Sequence, residues 1–182
     1  GGKPDGTTRQ EIRDGYELRF AVNYLAGFLL TLGLLPLLRR SAPGRVVNVA
    51  SLGQAPIDFD DPQITRGYNG TRAYGQSKLA QISSGFELAG RIPADEVAVN
   101  SLHPSTYMPT KMVLEQIGYS IDSLERGVAA TTRLATGPDL EGVSGRFFDR
   151  EEEAHAHEQA YDEDARRRLW ERRVTDKDFL TL

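Results

Sequence analysis

Apolar positions recur along the chain in two periods. Leu18, Val22, Leu25, Phe28, Leu29, Leu32 and Leu35 follow three- and four-residue spacing, which predicts a helix from Asp14 to about Leu38. Ser41-Ala42-Pro43-Gly44 reads as a turn. Arg45-Val46-Val47-Asn48-Val49-Ala50 is short and rich in β-branched residues, as a buried parallel strand should be. Residues 54–70 hold Pro56, Pro62, Gly67, Gly70 and the acidic run Asp58-Phe59-Asp60-Asp61, and predict a loop. Leu79, Ile82, Phe86, Leu88 and Ala89 predict a second helix ending near Gly90. Val97 to Leu102 predicts a second strand, closed by His103-Pro104. A mixed, partly helical segment at 105–121 leads to a short helix at 123–136 and a third strand at Gly145-Arg146-Phe147-Phe148. Residues 150–173 are very polar, with a helix around Asp162 to Arg172 that carries Leu169 and Trp170.

Helices alternating with strands define an α/β protein, a parallel sheet covered by helices. Such sheets bind ligands at the carboxyl ends of their strands. Ser51 and His103-Pro104 stand at two such ends, and the helix of Tyr74 starts on the same side. The run from Phe20 to Leu38 is apolar enough to raise a membrane reading. Asn23, Gly27, Thr31, Gly33 and Pro36 interrupt it, so it is read as a helix buried between the sheet and a partner surface, with no membrane. The 182 residues and their apolar fraction of 39% suffice for one domain with a core. A net charge of −4 gives no general nucleic-acid footprint. The absence of cysteine excludes disulfides, thiolate metal sites and cysteine nucleophiles. With the polar start at Gly1-Gly2-Lys3-Pro4, it fits a cytoplasmic setting.

The candidate chemistry centres on Ala73-Tyr74-Gly75-Gln76-Ser77-Lys78-Leu79. A helix places Tyr74 and Lys78 on one face. An ammonium beside a phenol favours the phenolate, and a phenol so tuned passes a proton to or from a substrate oxygen. Taken singly, the pair also fits an aromatic ring packed on a lysine stem. Ser51 alone fits a turn or cap, and Asn23 alone fits a polar residue bonded to backbone. Their ordered set selects the chemical reading. His155 and His157 do not share a helix face, and they read with Asp58, Asp60 and Asp61 as solvated groups, so no metal site is predicted.

Asn23 in a long helix, Val47-Asn48-Val49-Ala50-Ser51 at a strand end, Tyr74-x-x-x-Lys78, and a strand running into His103-Pro104 together resemble the short-chain dehydrogenase/reductase family. Ile57-Asp58-Phe59-Asp60-Asp61, Ala73 to Ala80, Val143 to Phe148 and Arg168-Leu169-Trp170-Glu171 resemble its branch of retinol dehydrogenases and WW-domain oxidoreductases. The likeness runs from about Asp14 to Trp170. It implies part of a doubly wound, parallel-sheet Rossmann fold with helices on both faces. Residues 1–182 are then one partial domain: a lead-in at 1–13, sheet and helices with the catalytic residues at 14–148, and a polar C-terminal segment at 149–182. The implied reaction moves a hydride between NADP or NAD and a small alcohol or carbonyl substrate. Tyr74 would be the general acid/base. Lys78 would hold the nicotinamide ribose and lower the pKa of Tyr74. Ser51 would bind the substrate oxygen, and Asn23 would hold a water in a relay to Lys78. Tyr74, Lys78, His103, Pro104, Ser105 and Thr106 would meet the cofactor. The helices at 18–38 and 74–90 would pair subunits into a homo-oligomer.

Two departures stand out. Ser105 takes the place of the glycine usual after the proline, and Thr110 lies one residue later than the family's threonine. The Gly-rich turn that seats the pyrophosphate and the Asn-Asn-Ala-Gly strand end are absent from the chain. The expectation is therefore the catalytic half of the fold, with an exposed strand edge at 45–50 and no activity by itself. The alternative is a non-catalytic binding or interaction protein built on the same half fold. A sugar-nucleotide epimerase shares Tyr-x-x-x-Lys, but the part after His103 is short for its substrate domain.

Overall fold

Strand pairing turns the predicted alternation into one sheet. The computed structural model describes residues 6–175, with side chains to residue 171, so parts of the lead-in and of the polar C-terminal segment lie outside the described residues. β1 (Gly44–Val49), β2 (Val97–His103) and β3 (Phe147–Asp149) run parallel, and β4 (Glu152–Ala154) returns antiparallel beside β3. The order is β1-β2-β3-β4, so β1 stands at an edge, as the sequence predicts. β4 is the strand that the sequence hides: Glu152 and Glu153 are exposed and show no apolar alternation.

Side-chain alternation sorts the core onto two faces. Val46, Val97 and Val99 turn toward Leu32, Leu35, Leu38, Leu88 and Ile92. Val47, Leu102 and Phe148 turn the other way, toward Ala130, Leu134 and Leu140. One face is thus covered by α1 (Ala26–Arg40) and α2 (Gly70–Arg91), and the other by α4 (Leu124–Thr136), with the short α3 (Lys111–Gln116) between β2 and α4. Helices on both faces of a parallel sheet are the predicted doubly wound α/β arrangement.

The first helix differs from its prediction. It begins at Leu18, not Asp14, because buried Glu17 accepts the Phe20 N–H at 2.7 Å on its side chain and the Ala21 N–H at 2.8 Å on its carbonyl. Phe20–Leu25 is one π-helical turn, in which Ala26 N–H reaches the carbonyl of Ala21. The wider turn rotates the apolar stripe. Phe20, Ala21, Tyr24, Leu25 and Phe28 are buried, whereas Val22 is 56% exposed. Val22, Leu30, Leu34 and Leu37 line an outer face, and only 22% of the apolar window is buried. The inner side of the helix is thus packed on the sheet, and the side expected to meet a partner surface is open in the single chain. By length and composition alone, Phe20–Arg40 is long and apolar enough to cross a membrane.

α2 is the most buried helix relative to its prediction. Asn69 caps it, accepting the Arg72 N–H at 2.9 Å. Within it only Thr71, Gly90 and Arg91 are exposed. The polar C-terminal segment supplies the cover. In α5 (Glu163–Thr175), Ala165 and Leu169 are buried, Arg166 pairs with Glu87 at 3.5 Å, and the Arg91 guanidinium lies 4.4 Å from the Trp170 ring centre. The chain's own α5 thus packs on the helix expected to meet a partner subunit.

Candidate active site

The chain leaves β1 with Ala50 N–H still bonded to Leu102 C=O at 2.8 Å, then turns at Ser51. Ser51 Oγ accepts the Gly53 N–H at 3.0 Å, and Gln54 Nε2 donates to the Ser51 carbonyl at 2.8 Å. Two glycines let this turn close on α2. A side chain on Gly75 would meet Ala55 Cβ at 2.9 Å and Ala55 N at 3.0 Å. A side chain on Gly53 would meet Tyr74 Cε1 at 3.4 Å and Ser51 Oγ at 3.5 Å, so the phenol ring edge and the serine hydroxyl flank the same point.

Lys78 lies one helical turn beyond Tyr74, its Nζ 5.9 Å from the ring centre. It donates to the Val49 carbonyl at 2.8 Å and lies 3.4 Å from Gln81 Oε1. Burial pushes its pKa down to about 8, since a desolvated ammonium is disfavoured. Asn23 sits in the π turn, a feature common at functional sites. Its Nδ2 donates to Ser77 Oγ at 3.0 Å, and Ser77 in turn donates to the Tyr74 carbonyl at 2.7 Å. Asn23 is thus joined to the Tyr74 turn through Ser77, a fully buried residue that sequence reasoning did not single out.

The predicted residues after β2 form a separate cluster. His103, Pro104 and Ser105 are buried. His103 Nε2 lies 3.0 Å from Thr106 Oγ1, and burial, with Arg150 nearby, holds its pKa below the usual histidine range. Thr106 uses both backbone groups within the chain: its N–H donates to Asp122 Oδ2 at 2.9 Å, and its carbonyl accepts the Asp122 N–H at 3.0 Å. Asp122 and Arg150 complete the cluster and were not visible as a pair in the sequence. Thr110 caps α3, its side chain accepting the Val113 N–H at 3.4 Å.

The acidic run and the histidines are structural. Asp58 accepts the Asp60 N–H at 3.0 Å and pairs with Arg72 at 2.9 Å. Asp61 accepts N–H groups of Thr65 and Arg66 at 2.9 and 3.0 Å. His155 stacks on Tyr161 with ring centres 4.2 Å apart.

A tyrosine and a lysine on one helix, near a serine at the carboxyl end of a parallel strand, define an α/β protein with a candidate acid/base site at the place where doubly wound sheets bind ligands. No family model matches the chain. Human retinol dehydrogenase 13 is 39% identical over 176 residues, which cover 86% of this chain and 53% of that protein. Human retinol dehydrogenase 14 is 37% identical over 175 residues, covering 88% and 52%. A solved structure described as a short chain dehydrogenase/reductase family protein is 25% identical, with a TM-score of 0.61, covering 82% of this chain and 62% of that one. The chain spans about half the length of the curated relatives it matches. The chain is similar to the short-chain dehydrogenase/reductase family and, within it, to the retinol dehydrogenases.

Proposed function

We propose that the protein carrying this chain is a nicotinamide-dependent oxidoreductase that interconverts an alcohol and a carbonyl compound. The observation that carries the reading is the meeting of Ser51 Oγ and the Tyr74 ring edge beside Gly53, with Lys78 on the same helix face. Ser51 already accepts the Gly53 N–H, so its own hydrogen is available to the substrate oxygen. Tyr74 gives or takes the proton at that oxygen. Lys78 donates to Val49 and Gln81 and keeps its third N–H for a ribose hydroxyl. Asn23, tied to the Tyr74 turn through Ser77, is the next polar group along the relay.

The nicotinamide end of NADP or NAD fits these residues: a buried ammonium and a phenol at the carboxyl edge of the sheet. When bound, that group supplies the hydride. The pyrophosphate end has no Gly-rich turn opening a helix within the 182 residues, so they account for one end of the cofactor only. The relatives named as retinol dehydrogenases support an alcohol or aldehyde as substrate. Association of two copies belongs to the same reading, with Val22, Leu30, Leu34 and Leu37 as the apolar surface for it.

The test is Tyr74→Phe in the full-length protein. Turnover of NADH or NADPH with an aldehyde should fall by about 10²–10⁴, while cofactor affinity stays within about twofold because only the phenol oxygen and its proton are lost. Retention of most of the wild-type kcat overturns the assignment.

A further inference from the structure

The segment at 104–122 leaves the carboxyl end of β2, on the side of Ser51 and Tyr74, and returns to start α4. Its middle has little to hold it. α3 has no buried residue, and Tyr107, Met112, Leu114, Tyr119 and Ile121 are exposed. Its base, in contrast, is closed tightly. Beyond the paired backbone of Thr106 and Asp122, Ile121 N–H donates to the Tyr107 carbonyl at 3.1 Å. Arg150, from the two-residue turn between β3 and β4, donates Nη2 to Asp122 Oδ2 at 2.7 Å and Nη1 to Asp149 Oδ1 at 2.8 Å. Its backbone N–H donates to the His103 carbonyl at 2.7 Å. The Asp122 side chain is only 7% exposed. Its carboxyl is held well below the usual carboxylate range, first by the Thr106 N–H and then by Arg150.

Arg150 has φ +58°, the left-handed region that suits glycine and strains other residues. A tight hairpin turn favours glycine there. The residue that stands there instead is the one whose side chain reaches across to Asp122.

We infer that Asp122 and Arg150 are positioning residues, a clasp that sets the 107–121 arm beside the substrate end of the site. The inference rests on the oxidoreductase reading above. An arm that is in place only a fraction of the time weakens apparent affinity by that fraction. It leaves the proton transfer at Tyr74 untouched. Loss of the clasp therefore acts on KM rather than on kcat.

The experiment uses the full-length protein with decanal as the probe aldehyde and NADH or NADPH as the reductant. Asp122→Asn should raise KM about tenfold with kcat within about threefold of wild type. Arg150→Lys should fall between, since a point charge replaces the two-pronged fork. Arg126→Ala is the control: Arg126 also pairs with Asp122, at 2.9 Å, but its side chain is 59% exposed and contributes little. Trypsin cleavage after Lys111 should be faster in Asp122→Asn than in wild type at a temperature where both proteins are fully folded. A fall in kcat that tracks the folded fraction, with KM and Lys111 cleavage unchanged, overturns the clasp. Should wild type reduce the aldehyde with neither cofactor, the oxidoreductase reading is the one not supported by this probe. The clasp is then judged on Lys111 cleavage alone: faster cleavage supports it and unchanged cleavage overturns it.

Discussion

Lys78 is the residue at which the proposed function works against stability. Its folded pKa is lowered to about 8 by burial, so the folded chain holds this proton less well than the unfolded chain does. Where the unfolded state binds more protons, stability rises with pH. For Lys78 that window runs from about 8 up to the ordinary lysine value near 10.4. At neutral pH the buried ammonium is therefore a cost that an apolar side chain would relieve. Lys78→Met is expected to raise the thermal midpoint at pH 7 while abolishing turnover, and the gap to wild type should narrow between pH 8 and 10. Melting curves of both proteins across that range are the check, and a lower midpoint for the variant at pH 7 would contradict the argument. Tyr74, Lys78 and Ser51 were legible in the sequence because a helical spacing and a strand end place them without further information. Ser77 was not, since a buried serine in a helix carries no signal until Asn23 is seen donating to it. Asp122 and Arg150 meet only through the tertiary fold, and neither lies in a motif.

At the scale of elements, two close approaches shape the site. Gly75 lets the turn after β1 lie directly on α2, and the atoms its side chain would strike belong partly to backbone, which cannot swing aside. Gly75→Ala should force loop and helix apart by a few tenths of an ångström. The expected cost is about 1–3 kcal/mol of stability, together with a loss of kcat as Ser51 moves from Tyr74. Urea unfolding and steady-state kinetics measure the two effects, and a variant with wild-type kcat would show that the turn does not position Ser51. The second approach is that of α5 onto α2. Its sequence is very polar, with charged residues dominant, and Leu169 is 5% exposed in the same core as Phe28, Leu79 and Phe86. Leu169→Ala should cost about 2–4 kcal/mol, where a solvated helix would predict almost none. Composition hid this packing, much as it hid β4: few apolar residues sufficed, and long Arg stems covered the rest. The π turn was equally invisible, because periodicity read from sequence assumes a regular helix and one wide turn moves Val22 off the core stripe.

For the whole molecule, the decisive features are an edge and an end. β1 is the outer strand of the sheet, with Val49 and Leu52 exposed at the edge nearest the site. The outer face of α1 adds Leu30, Leu34 and Leu37. An open strand edge beside apolar surface invites association. In the proposed function Ser51, Tyr74 and Lys78 would meet only the nicotinamide end of the cofactor, and binding at that end alone would give up the helix N-terminus and backbone donors that seat a pyrophosphate. Those remote contacts normally supply affinity and hold the reacting atom in place, where a displacement of about 1 Å can cost 10²-fold in rate. The 182 residues taken by themselves are therefore expected to bind neither NADH nor NADPH at micromolar affinity and to reduce no aldehyde, even though the Tyr74, Lys78 and Ser51 geometry is intact. Calorimetric titration of the purified 182-residue chain, its mass confirmed and its folding checked by circular dichroism, measures this directly. Micromolar binding to the folded chain would mean that Lys78 and its neighbours hold the cofactor without pyrophosphate donors, and the division of labour argued here would have to be abandoned.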